Sequence, residues 1–395
     1  MAGAKRSEAQ LLLCCARSRR DHEVSARIEA LLQDEIDWGY VMQLAGRHKM
    51  VSLLSWHLSA TFREALPSTV VQELDAGFRT NGLRNLRLTG ELLRLLHAFQ
   101  VHEIPALPYK GPTLATLAYG NLALREFLDL DFLVREADVL RAKEVLLSNG
   151  YQPLYRMTSA REAAFIRYRD QYVYARNDTG GVVELHWELA PRAFSFPLNT
   201  EHLWKRLERI SLGGDDVLVL SAEDLLLTLC VHGTLHRWER LAWVCDVAEL
   251  IRARKDIDWD LVMERATSLG GRRALSLGLA LAESMLDADL PEKVSHTVRA
   301  ESLSQALATT VEDRLFEEET DSREYLEGAS FRPFHLKAME SMRGRLLYCM
   351  RQATYPSVED LEFVPLPARL FPVYRLLRPA RLIGKFARKL GTKRT

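Results

Sequence analysis

Asp129 and Asp131 stand one residue apart in LDLDFLV, residues 128–134, an otherwise apolar run. An apolar run this short reads as a buried strand, and alternate residues of a strand share a face. The two carboxylates therefore point the same way, with Cα atoms about 6.6 Å apart. Burying them unpaired is costly, so a cation or a hydrogen-bonding network must meet them. Carboxylates converging from that spacing suit hard divalent ions such as Mg²⁺. The plainer alternative leaves one Asp in water at the strand end and uses the other to cap a turn.

Other residues could join that chemistry. In VVELHW, residues 182–187, Glu184 and His186 share one strand face, and Val183, Leu185 and Trp187 the other. A lone Glu on a strand is usually solvated on an open sheet face. If this strand pairs with the acid strand, three carboxylates converge, enough to place two Mg²⁺ ions and a bound triphosphate. Upstream, Lys110-Gly111-Pro112 reads as a helix start, with Gly111 at the cap and Pro112 at the first position of a helix over 112–120. Free backbone N–H groups, the dipole and the Lys110 charge could hold a phosphate there; the alternative is a surface lysine before a capped helix. Arg125, four residues before Asp129, could bind phosphate or balance the acid pair. His232 and His236 share a helix face, but no third ligand follows at a zinc spacing and the HExxH glutamate is absent. They read instead as lining a cleft or hydrogen-bonded in the core. Asp246 lies on the next amphipathic helix, 240–254, as a partner for a histidine or arginine.

The elements that must position these residues can be read in order. Residues 8–98 read as helical, with Leu88, Leu92, Leu95 and Leu96 on one side of a helix running to about 100. The pattern changes at 101, where Pro105 and Pro108 enforce an extended segment. A helix at 137–149, a short edge strand at 151–155 and a helix at 160–169 follow the acid strand. Residues 171–174 and 182–187 form a hairpin about the turn chemistry of Asn177-Asp178-Thr179-Gly180-Gly181. From Ser221, an N-cap, the chain is helical again, with helices at 258–270, 272–287 and 293–310. IDWGYVMQLA at 36–45 returns as IDWDLVMERA at 257–266, either an internal echo of a helical unit or one capping solution used twice.

At 395 residues the chain is longer than one compact core usually serves. Its composition is that of a soluble globular protein, 47% hydrophobic and 27% charged. Net charge is zero, which gives no global pull toward nucleic acid. Five cysteines without zinc spacing read as buried reduced thiols, as in a cytoplasmic protein, and no apolar run reaches spanning length. Charged residues 312–335, including Glu317-Glu318-Glu319, read as a solvated face or loop. Residues 367–395 contain no acid; nine lysines and arginines interleave with Leu382, Ile383, Phe386 and Leu390. Such a basic amphipathic helix could rest on an anionic membrane or grip a polyanion, or dock on the body with its charges in water.

The stretch YKGPTLA…LREFLDLDFLV…LLSNGY…VVELHWEL is similar to the uncharacterised nucleotidyltransferase family of bacteria, which resembles the DNA polymerase β-type nucleotidyltransferase superfamily. The helical phrases IDWGYVMQLAGRHK and HGTLHRWERLAWVCDVAELI fit the family's flanks, so the resemblance spans most of residues 10–290. It implies an α+β fold, with a small mixed sheet flanked by N- and C-terminal helical regions; with the pattern of the residues, the chain divides into helices over 1–100, the nucleotidyltransferase-like core over 101–220, a helical domain packing on the core over 221–310, and a charged segment and basic tail over 311–395. It further implies two Mg²⁺ ions held by Asp129, Asp131 and Glu184, with a nucleoside triphosphate such as ATP as substrate. Lys110, Gly111 and Arg125 would meet the nucleotide's phosphates, and His186, His232 and Asp246 would be candidates for positioning the acceptor. The acceptor would be a hydroxyl of a small molecule, sugar or protein. Lys110-Gly111 is a departure, since the superfamily usually has Gly-Ser at this helix start. Two other functions fit these residues: a non-catalytic nucleotide- or partner-binding module with the same fold, and a helical scaffold whose acids are structural.

Overall fold

The computed structural model describes residues 6–155, 158–176, 181–194, 200–317, 333–356, 360, 366 and 368–392. Among the described residues, seven strands form two sheets. In the larger, β1 (Ala106–Pro108), β2 (Asp129–Val134), β3 (Gln152–Pro153), β4 (Gln171–Arg176) and β5 (Gly181–His186) lie in the order β1-β2-β5-β4-β3. Only β2 and β5 run parallel; the other neighbours are antiparallel. The mixed α+β fold is therefore the one expected. The hairpin β4–β5 is present; the turn chemistry at 177–180 lies outside the described residues.

Alternation explains the sheet. Leu130, Phe132 and Val134 of β2 join Val183 and Leu185 of β5 in one apolar cluster. That cluster is covered by Leu88, Leu92, Leu95 and Phe99 of the long Ser68–Val101 helix and by the Val139–Ser148 helix. The opposite face carries Asp129, Asp131, Glu184 and His186. A second and larger apolar cluster lies among the helices. It joins Leu11, Leu44 and Leu54 of the N-terminal helices to Leu226, Val244 and Leu277 of the later ones, and it reaches Leu133 at the end of β2. The long helix serves both, with Val70, Val71 and Leu74 in one cluster and Leu88 onward in the other.

Polar anchors on the same long helix shape the approach to β2. Asn81 Nδ2 donates to the Ala123 carbonyl at 2.8 Å, and Asn85 Nδ2 donates to those of Leu122 and Arg125 at 2.6 and 2.7 Å. Arg84 Nε donates to the Phe127 carbonyl at 3.1 Å. A buried loop needs its carbonyls satisfied, and these side chains supply the donors.

The repeated IDW phrase is one capping solution used twice. Asp37 accepts from Tyr40 N and Asp258 from Leu261 N, both at 3.0 Å, and Val41, Ala45, Val262 and Ala266 are buried. Two elements differ from the sequence reading. The helix expected over 293–310 is two, Glu292–Ala300 and Ser302–Leu315, because Glu301 leaves helical geometry and its carboxylate caps Ser304 N at 2.7 Å. A second hairpin, β6 (Leu207–Leu212) with β7 (Asp215–Leu220), was not expected. Its signal is Gly213-Gly214, both at positive φ, between two alternating runs.

All five cysteines are free. No described helix is long and apolar enough to cross a membrane. The basic C-terminal segment forms a helix, Tyr374–Thr392, that docks through buried Phe371 and Tyr374 and through Arg378, which binds Asp360 at 2.6 Å. Leu376 and Ile383, seven residues apart, are exposed instead. Lys393 and Arg394, like Glu318 and Glu319, lie outside the described residues.

Candidate active site

Asp131 and Glu184 are direct partners across the parallel β2–β5 pair, and Asp129 follows on the same face opposite Val182. These residues floor a cleft of about 690 Å³. Lys110, Arg125, Gln171 and His186 line it on the sheet side. His232 and Trp243, from the Ala222–Leu235 and Leu241–Ala253 helices, and His236 and Arg240, from the connection between them, line it on the other side.

One oxygen of Asp131 is the centre of the arrangement. Its Oδ1 is 3.2 Å from His186 Nε2 and 3.4 Å from Lys110 Nζ. His186 Nε2 is also 3.3 Å from Glu184 Oε2, and Gln171 Nε2 donates to that same oxygen at 3.2 Å. Asp131, Glu184 and His186 each offer one ligand atom within 4.8 Å of the others, a donor set that fits a divalent cation. Asp129 lies outside this set. Burial opposes charge on Asp131, but Lys110, His186 and Arg125 outweigh it and hold its carboxyl well below the usual range. For Asp129, burial and then the charges of Asp131 and Glu184 push the carboxyl up to about 6. Burial also opposes charge on His186, and its hydrogen bonds to the two acids more than compensate, raising it.

Gly111 sets the Lys110 position. Its φ of +56° is one a side chain would strain, and a Cβ there would meet the Asp129 carbonyl at 3.5 Å. The helical segment expected over 112–120 follows, with Gly120 in left-handed conformation at its end.

Arg125 and Asp246 come together, which the sequence left open. Arg125 Nε and Nη2 grip the two oxygens of Asp246 at 2.8 and 2.9 Å, and Tyr119 Oη donates to the same carboxylate at 2.8 Å. Arg125 lines the cleft, whereas Asp246 is buried and does not. Asp246 thus meets Arg125 and Tyr119 rather than the open cleft. His232 and His236 do line the cleft, their rings 4.5 Å apart and both beside Trp243. Burial and the Lys110 charge lower both, His236 to about 4, which keeps the rings neutral.

Sequence reasoning missed Gln171, Trp243, Arg240 and the buried Asp170, all of which line the cleft. It also missed the Asn81, Arg84 and Asn85 anchors, although their spacing of three and four residues extends the buried face of an amphipathic helix.

Residues 34–287, more than half of the chain, match the family described as uncharacterised nucleotidyltransferase. The chain belongs to this family. Among solved structures, it is similar to an antigenic nucleotidyltransferase-like protein from Paracoccidioides brasiliensis, at 18% identity and a TM-score of 0.35, over 53% of this chain and 96% of that one. No curated protein matches it. The nucleotidyltransferase match begins within the N-terminal helices and ends just after the Arg272–Leu286 helix, so it includes the acid face and His232, His236 and Trp243 across the cleft.

Proposed function

We propose that the protein is a metal-dependent nucleotidyltransferase of the DNA polymerase β type, moving a nucleoside monophosphate from a triphosphate to a hydroxyl. The observation that carries this reading is the register of β2 and β5, which sets Glu184 beside Asp131 with Asp129 on the same face of a family-matched cleft. Asp131 and Glu184 would hold divalent metal, with Asp129 beside them. When bound, such a metal would neutralise charge on the triphosphate and favour ionisation of the attacking hydroxyl.

The chain's own residues do the rest. Lys110 meets the negative charge of the phosphates. Glu184, whose side chain is 26% exposed against 5% for Asp131, is the acid open to the acceptor. It takes the hydroxyl proton, directly or through water, as the acceptor oxygen bonds to the α-phosphorus and the bond to pyrophosphate breaks. Arg125, its charge paired with Asp246, is a fixed part of the cleft wall beside the acids. His232 and His236, neutral beside Trp243, form an uncharged wall for the acceptor or base.

Peripheral membrane contact through 367–395 belongs to the same reading. Leu376 and Ile383 are exposed on an acid-free helix, and Met342, Leu346 and Met350 form an exposed stripe on the Met342–Thr354 helix, which also lacks acids. Apolar side chains among cations suit an anionic lipid surface. Leu376→Glu together with Ile383→Glu should release the protein from phosphatidylserine vesicles; retention would remove the membrane from the account.

The direct test of transfer incubates the protein with α-labelled triphosphates, divalent metal and cell extract. Label should move to an acceptor, with pyrophosphate released, and Asp129→Ala and Asp131→Ala should abolish it. Unchanged transfer in both variants would refute the site. Metal-dependent triphosphate binding without transfer would favour a binding module.

A further inference from the structure

The donor set in the cleft differs from an all-carboxylate site in containing a nitrogen. His186 Nε2 sits between Asp131 and Glu184 at 3.2 and 3.3 Å, and its side chain is only 7% exposed. The ring has little freedom to leave. Tyr109, itself buried, packs edge-on against it at 5.5 Å and 81°. Gln171 Nε2 fixes the same Glu184 oxygen with a hydrogen bond of 3.2 Å. Mg²⁺ prefers oxygen donors and keeps much of its water, whereas imidazole suits zinc, iron, nickel and copper.

The same acid already carries a built-in cation. Lys110 Nζ stands 3.4 Å from Asp131 Oδ1 with its side chain 12% exposed, and the Gly111 turn fixes its backbone. That one Asp131 oxygen is shared by an ammonium and an imidazole. Asp129, which would serve a second ion, falls outside the clustered donors. One divalent ion together with the Lys110 ammonium balances the three carboxylates of this face.

We propose that the nucleotide-free site takes one divalent first-row transition-metal ion through Asp131, Glu184 and His186 Nε2, the Lys110 ammonium standing where a second ion would be. This rests on the nucleotidyltransferase reading and deepens it: the departure at Lys110 becomes a replacement for a metal rather than a loss of phosphate binding.

The test is Mn²⁺ titration of the full chain, followed by electron spin echo spectroscopy of the bound ion. The expected result is one Mn²⁺ per chain with ¹⁴N coupling from an imidazole. His186→Gln should remove the coupling and weaken binding by at least about tenfold. Lys110→Met should raise the stoichiometry toward two. His232→Gln, a change outside the donor set, should leave the coupling intact. Two ions in the unsubstituted protein, no nitrogen coupling, or no Mn²⁺ binding would each overturn the proposal. Transfer supported by Mg²⁺ with no nitrogen coupling would sink this proposal and leave the nucleotidyltransferase reading standing. A nitrogen-bound ion without triphosphate use would do the reverse.

Discussion

Two groups of buried charge meet at the cleft, and they are closed to different degrees. In the Arg125–Asp246–Tyr119 group, both carboxylate oxygens are taken by one guanidinium and one of them also accepts a hydroxyl. Its charges cancel within the fold. On the acid face, Asp129, Asp131 and Glu184 are met by Lys110 and His186, which leaves negative charge in surplus. The side-chain chemistry is alike, but the closed group acts as scaffold and the open one has room for a cation. Folding stability should therefore depend on the first group, and ligand binding on the second.

The largest effect expected from this contrast is on stability. Asp246→Ala strands Arg125 without its partner and should cost about 3–5 kcal/mol in urea unfolding. A loss below about 1 kcal/mol would mean the group is not closed as described. Next, Asp131→Asn or Glu184→Gln should cut nucleotidyl transfer by at least about 10²-fold, since the metal's contribution is several kcal/mol and each 1.4 kcal/mol is tenfold. The melting temperature of Glu184→Gln should hold or rise, because the change relieves like-charge repulsion. A fall as large as that of Asp246→Ala would erase the distinction.

The last expectation concerns pH. His48 is fully buried, and its Nδ1 accepts from Leu241 N at 3.2 Å, at the start of the helix that carries Asp246. Burial, and then the Arg47 charge, lower it to about 3. The folded ring stays neutral while the unfolded ring gains a proton below about pH 6.5. Its contribution is therefore complete above that pH and is lost as pH falls toward 3, by up to about 1.4 kcal/mol per unit. Stability measured from pH 7 to 4 should fall less steeply in His48→Gln than in the unsubstituted protein; equal slopes would contradict the assignment.

The acid strand, its glutamate-bearing neighbour and the Lys110 turn were legible because each is local: period-two alternation and a Gly-Pro helix start need no tertiary information. The pairing of β2 with β5 was open, since more than forty residues separate Asp131 from Glu184. The partner of Asp246 was open for the same reason: a lone acid on an apolar helix shows that a cation must come, not which one. His186 was legible as a face-mate of Glu184, but its closeness to Asp131 depends on strand register. Gln171 and Trp243 carried no signal, because a neutral amide at a strand start and an aromatic on an amphipathic helix are ordinary core or surface choices. The β6–β7 hairpin was missed although Gly213-Gly214 advertised it.

The claim that the open acid face recruits metal and nucleotide together is tested most directly by calorimetric titration of a nucleoside triphosphate, with divalent ion and with chelator. The account predicts binding by the unsubstituted protein only when the ion is present, and none in Asp131→Asn under either condition. Equal affinity with chelator, or binding unchanged in Asp131→Asn, would contradict it.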